Sequence, residues 1–255
     1  MDVHETKAKL AAGGTVYGCF DRHPDAGLAE LLAVQGFDFL VFDAEHGTVE
    51  PRDCEGLVRA AELRGPAPLV RVPTNAPHVI LRYLDTGAVG VHVPLVGSAA
   101  EAEAAVRAVK YAPRGTRGLA GVRAASYGAV PLAEYVEQAN EATMVVIQVE
   151  TREAVEHVEE IAAVDGVDVV FVGPTDLSQA YGVTGDTAHP LLEEAYERIA
   201  AAVAGSPAAL GVLVGDEAGA ERWRERGARY IAVTVDSLLV ARARAFLGAV
   251  QVEVA

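Results

Sequence analysis

Eight short apolar runs recur along the chain, and amphipathic stretches fill most of the gaps between them. The runs are Thr15–Phe20, Phe39–Phe42, Pro68–Val72, Val89–Pro94, Met144–Val149, Val167–Val172, Ala208–Val214 and Tyr230–Thr234. Helical periodicity is read over Asp25–Gln35, Pro51–Arg64, Ala76–Thr86, Ser98–Lys110, Leu132–Ala142, Thr151–Val164, Pro190–Ala204, Asp216–Arg226 and Asp236–Leu247. Several of these end in glycine, at Gly36, Gly65, Gly87 and Gly227, the residue that most easily takes the left-handed turn closing a helix. Apolar residues make up 51% of the chain, with Ala, Val and Gly dominant, which suits buried parallel strands and close helix–sheet packing. Eight strand–helix units in 255 residues predict a (β/α)8 TIM barrel, with residues 1–255 as one domain. An open doubly wound sheet is the alternative, but the glycine-rich dinucleotide fingerprint expected after its first strand is absent.

The stretch 144–178 carries the strongest chemical signal. Its two strands flank a helix that Thr151 can cap, so they form a βαβ unit with parallel, neighbouring strands. The first strand ends on Glu150, and the second delivers Asp176 after the turn Gly173-Pro174-Thr175. Each acid alone could be an ordinary helix-start carboxylate. Together, at one edge of the sheet, they call for a cation. Carboxylate-only ligation suits a hard ion with open coordination positions, Mg²⁺ or Mn²⁺, better than Zn²⁺.

Barrels place reactive groups at the C-terminal ends of their strands. Arg71 stands there after Pro68-Leu69-Val70, either as a surface arginine or as a fork for a carboxylate or oxyanion. His46 follows Asp43-Ala44-Glu45, and Asp43 is expected to orient its imidazole for acid–base work. His92 is read as a core or supporting residue. The lysines are Lys7, Lys9 and Lys110, none of them at a predicted strand end, which closes the Schiff-base route. Gly215-Asp216-Glu217 puts acid where a barrel's phosphate cup would lie. A formal charge of −15 argues against nucleic acid or an anionic membrane as partner. Cys19 and Cys54 lack metal spacing and read as buried thiols of a reducing compartment. With no signal-peptide pattern and no long apolar run, a soluble cytoplasmic protein is expected. The stretch Tyr111–Val130 is too long and irregular for an idle loop.

GFDFLVFDAEHG (36–47), PLVRVP (68–73), LDTGAVGVHVPLV (84–96), YAPRGTRG (111–118), IQVET (147–151), VFVGPTDLS (170–178) and GARYIAVTVDSLLV (227–240) together resemble the HpcH/HpaI family. These are class II pyruvate aldolases, typified by 4-hydroxy-2-oxoheptanedioate and 2-keto-3-deoxy sugar-acid aldolases. The resemblance implies reversible cleavage of a 4-hydroxy-2-oxo acid to pyruvate and an aldehyde. Mg²⁺ or Mn²⁺, with Co²⁺ left open, would be held by Glu150 and Asp176, with Gln148 beside them. Arg71 would meet the keto oxygen, and His46 with Asp43 would serve acid–base chemistry through water. The turn Gly173-Pro174-Thr175 would hold the pyruvate carboxylate, and Leu119 and Leu213 would line an apolar pocket. Asp85 would reach a neighbouring subunit's site, and the last helix would pack on a partner in a hexamer, a trimer of dimers. Thr175 and Ala44 depart from the family's usual alanine and glycine, which bears on pocket shape. Citryl- or malyl-CoA cleavage and oxaloacetate decarboxylation are the alternatives on the same barrel. A non-enzymatic scaffold fits less well, since a retired site would be expected to have lost some of these residues.

Overall fold

The computed structural model describes residues 5–250. Eight strands close into a parallel barrel in sequence order: β1 (Val16–Asp21), β2 (Phe39–Asp43), β3 (Ala67–Arg71), β4 (Gly90–Val93), β5 (Met144–Val149), β6 (Val169–Val172), β7 (Ala209–Val214) and β8 (Tyr230–Thr234). The helices begin with α1 (Glu5–Ala11), α2 (Ala26–Ala33), α3 (Pro51–Glu62), α4 (Pro77–Leu84), α5 (Ala99–Val109) and α6 (Leu132–Ala142). They continue with α7 (Arg152–Glu156), α8 (Val158–Ala162), α9 (Pro174–Ala180), α10 (Pro190–Ala204), α11 (Glu217–Glu225) and α12 (Val235–Val250). The (β/α)8 expectation holds.

Period-two alternation sorts the strand side chains into two buried layers. Cys19, Phe42, Val70, Val145, Val170 and Val212 face outward under the helices. Phe20, Phe39, Leu69, Val146, Phe171 and Tyr230 face the lumen. Glycine at two inward positions makes room for this lumen plug. A Cβ on Gly18 would stand 2.1 Å from the Phe39 ring, and one on Gly211 would stand 2.8 Å from that of Phe171.

Four elements differ from the sequence expectation. The helix expected over Thr151–Val164 is split at His157 into α7 and α8. Arg198 donates to the Glu156 carbonyl at 2.8 Å, which takes up an acceptor that a continuous helix would use itself. Helices α1 and α9 form where no helix was expected, and a kinked 3₁₀ segment occupies Arg123–Gly128 within the irregular stretch.

All three lysines lie at the end of the barrel where the strands begin. Lys7 pairs with Asp168 and Lys9 with Asp38, while the buried Lys110 donates to the carbonyls of Asn140 and Thr143 at 2.6 and 2.7 Å. Cys19 and Cys54 are buried free thiols. Among the described residues no helix is long and apolar enough to cross a membrane. Helix α12 buries only Val235 and leaves Leu238, Leu239, Val240, Phe246, Leu247 and Val250 exposed. Beneath it a cavity of about 490 Å³ is lined by Tyr17, Phe37, Ile231, Leu238 and Ala245.

Candidate active site

The register of β5 on β6 pairs Val149 with Val172, so the next residues, Glu150 and Gly173, leave the sheet side by side at its C-terminal mouth. Glu150 is buried. Its Oε1 accepts the Leu95 amide at 2.8 Å, and its Oε2 accepts the Gln148 side-chain amide at 2.9 Å. Leu95 adopts φ 55 to make that contact, a left-handed conformation that costs a leucine about 1–2 kcal/mol. Burial pushes the Glu150 carboxyl up to about 6; the two donors oppose the rise, and the charges of Asp176 and Glu45 add to it. Asp176 sits in the first turn of α9, after the helix-starting Pro174.

The facing wall is built on β2 and β3, where Asp43 and Arg71 are paired in register. Arg71 Nε donates to Asp43 Oδ1 at 2.8 Å and Nη2 to Oδ2 at 2.5 Å, a two-pronged pair that is almost wholly buried. Its third nitrogen lies 3.3 Å from Glu45 Oε2, and its guanidinium stands 5.2 Å from the centre of the Phe20 ring. Burial works against both charges. The pair overcomes it: Asp43 is held below the ordinary carboxylate range by Arg71, and Arg71 is held above its ordinary value by Asp43, Glu45 and Glu150. Burial raises Glu45, Arg71 opposes that, and Asp43 and Asp176 add to it.

The donor set fits a divalent cation. Each Glu150 oxygen keeps a lone pair beyond its single hydrogen bond, and like charge from Asp176 and Glu45 crowds the same space. Among the described residues no group of three or more His, Cys, Asp or Glu side chains is placed to enclose an ion. Two carboxylates with open positions suit Mg²⁺ or Mn²⁺, and not the closed shell of a structural zinc site.

One expected pairing is corrected. Asp43 does not orient the His46 imidazole: its carboxylate is taken up by Arg71 and by the amides of Glu45 and His46. The ring of His46 is 56% exposed on the rim, and Glu45 is its acidic neighbour at 3.9 Å. Glu45 had no signal of its own beyond its place between Asp43 and His46, and the Leu95 amide had none. Leu213, Pro174 and Thr175 line a cavity of about 440 Å³ beside α9. Asp85 and Leu119 lie elsewhere. Asp85 closes the C-terminal end of α4 and binds Arg117 at 3.0 Å, and Leu119 is half exposed, following Gly118, which approaches Leu81 of α4. Helices run against the strands, so Asp85 stands at the opposite end of the barrel from Glu150.

Gly173 offers a direct test of this geometry. A Cβ there would stand 2.6 Å from Glu150 Oε2. Gly173→Ala is expected to displace the carboxylate and weaken Mn²⁺ binding by about 10–100-fold with an unchanged circular dichroism spectrum. Calorimetric titration with Mn²⁺ measures it, and wild-type affinity would show that Gly173 does not frame the site.

Known proteins resemble the chain along nearly its whole length. The chain is 37% identical over 239 residues to the hydroxypyruvate/pyruvate aldolase of Roseovarius nubinhibens, covering 92% of each chain. It is 39% identical over 235 residues to the 5-keto-4-deoxy-D-glucarate aldolase of Shigella boydii serotype 18, covering 90% of this chain and 89% of that one. A crystal structure of an HpcH/HpaI aldolase/citrate lyase family protein from Burkholderia cenocepacia J2315 superposes with a TM-score of 0.93 at 37% identity, over 98% of this chain and all of the other. The model of the HpcH/HpaI aldolase/citrate lyase family matches residues 17–243. Sequence and barrel therefore agree: the chain belongs to the HpcH/HpaI aldolase/citrate lyase family.

Proposed function

We propose that the protein is a metal-dependent aldolase that reversibly cleaves 4-hydroxy-2-oxo acids to pyruvate and an aldehyde. The observation that carries this reading is the convergence of buried Glu150, the Asp176 turn and the clamped Arg71 guanidinium at one barrel mouth. Glu150 and Asp176 would hold Mg²⁺ or Mn²⁺, and the ion, when bound, supplies Lewis-acid polarisation of the 2-oxo oxygen. Arg71 supports the charge that develops on that oxygen. Its orientation is already fixed by Asp43 and Phe20, so little reorganisation is needed as charge grows. The turn Gly173-Pro174-Thr175 receives the carboxylate, where first-turn amides of α9 lack helical acceptors. His46, on the open rim, takes the 4-hydroxyl proton through water. The aldehyde half opens on the cavity lined by Leu213, Pro174 and Thr175. Aldolase names among the relatives of 37 and 39% identity favour this reading over acyl-CoA ester cleavage.

Assembly follows from two surfaces. The apolar residues of α12 and the cavity beside it support packing of that helix on a second copy. Asp85 and Leu119, remote from their own barrel mouth, support a role at a neighbour's site in a hexamer.

Pyruvate release from a panel of 4-hydroxy-2-oxo acids is expected to vanish with chelator and return with Mn²⁺ or Mg²⁺. Arg71→Lys is expected to lower kcat/KM by about 10²–10³. Chelator-insensitive turnover would overturn the metal reading. In sedimentation velocity the wild type should run larger than a monomer, and Leu239→Asp with Phe246→Asp should shift it towards monomer. A monomeric wild type would contradict the packing of α12.

A further inference from the structure

His92 and Tyr230 lie buried inside the barrel, with His92 in register with Arg71 on the neighbouring strand. β4 and β8, which carry them, are diametrically opposite in the ring of eight. Both residues are fully buried, yet the Tyr230 hydroxyl and His92 Nε2 meet across the lumen at 2.8 Å. Their orientations are held by neighbours. Phe20 and Phe171 present edges to the imidazole at 5.1 and 5.0 Å, and Phe39 stacks on the Tyr230 ring at 3.9 Å.

Counting donors and acceptors fixes the direction of the chain. Two buried atoms are without a well-formed partner here, His92 Nδ1 and Gln148 Oε1. The β4–β5 register sets His92 beside Val146, so Gln148 follows on the same inward face, near enough to act on the His92 ring. If Nε2 carried the imidazole proton, the buried tyrosine hydrogen would have no acceptor, and Nδ1 and Gln148 Oε1 would both be acceptors without a donor. With the proton on Nδ1, donors and acceptors match in number. The Tyr230 hydroxyl donates to Nε2, Nδ1–H is the one donor left for Gln148 Oε1, and the Gln148 amide donates to Glu150 Oε2 at 2.9 Å. Burial and the Arg71 charge push His92 down to about 3, so the ring is neutral and one tautomer must be chosen. All donors in this chain point towards the carboxylate, and each polarises the next. An unanchored Gln148 could turn its amide over and set oxygen against oxygen at Glu150.

We propose that His92 and Tyr230 are positioning residues that, through Gln148, fix the orientation of Glu150 and thereby set the affinity of the site for a divalent cation. The proposal rests on the metal reading given above. The chain has no role in proton transfer to substrate; it acts on geometry alone.

The test uses full-length protein and two readouts. Magic-angle-spinning ¹⁵N spectra of histidine-labelled, metal-free protein should show His92 as the Nδ1–H tautomer, and Tyr230→Phe should abolish that preference. Mn²⁺ titration by electron paramagnetic resonance should show His92→Leu binding about 10–100-fold more weakly than wild type. His92→Asn, whose amide nitrogen can take the place of Nδ1, should stay within about threefold of wild type by the same donor count. Equal losses in the Asn and Leu variants would mark the role as packing and overturn the proposal. So would an Nε2–H tautomer in the wild type, a readout that stands even if His92→Leu fails to fold. Wild-type protein that binds no Mn²⁺ would sink the metal reading and the proposal with it, whereas wild-type binding with an unaffected His92→Leu would sink the proposal alone.

Discussion

A carboxylate buried at a barrel mouth stays charged only if its surroundings replace the water it has lost, and Glu150 shows what that requires. A leucine accepts a left-handed backbone to bring one amide to it. A glutamine from the same strand reaches the other oxygen. Gly173 leaves free the space that a methyl group would occupy. These devices only partly offset burial, since the carboxyl still rises to about 6. The remaining imbalance is negative charge, shared with Asp176 and Glu45, in a cleft that a small dication would neutralise.

The opposite wall solves a different problem. Arg71 must be charged, dry and immobile at once. Asp43 supplies two aligned acceptors, Glu45 a longer-range partner and Phe20 a ring beneath the guanidinium. Removing Asp43 would leave a buried cation uncompensated, a change that commonly costs 3–5 kcal/mol as an order of magnitude. On the proposed reading this division would place the cation's ligands just past the ends of β5 and β6 and the oxyanion support on β3, with His46 on the rim. The aromatic plug under both walls is then a floor that keeps them at fixed height, and His92 ties that floor to Glu150.

Much of this was legible in the sequence because barrels translate position along a strand into position in space. The apolar runs ending on Glu150 and Arg71 gave the mouth its residues, and the βαβ spacing brought Asp176 beside Glu150. The family resemblance supplied Gln148, Asp85, Leu119 and Leu213, which periodicity alone did not single out. What stayed hidden depended on side-chain direction. Asp43 lies three residues before His46 and twenty-eight before Arg71, yet β2–β3 register turns it towards the distant arginine. Likewise no pattern in Val93-Pro94-Leu95 announces that Leu95 will lend its amide to a residue fifty-five positions away. The split at His157 depends on Arg198, which arrives from another helix.

The central claim is that Glu150 and Asp176 together hold one divalent cation on which pyruvate then docks. Electron paramagnetic resonance of Mn²⁺ added to wild type, Glu150→Gln and Asp176→Asn, each with and without pyruvate, tests it most directly. A single Mn²⁺ per chain whose spectrum changes with pyruvate, lost in both variants, is the predicted result. Tight Mn²⁺ binding that survives either substitution, or a spectrum indifferent to pyruvate, would contradict it.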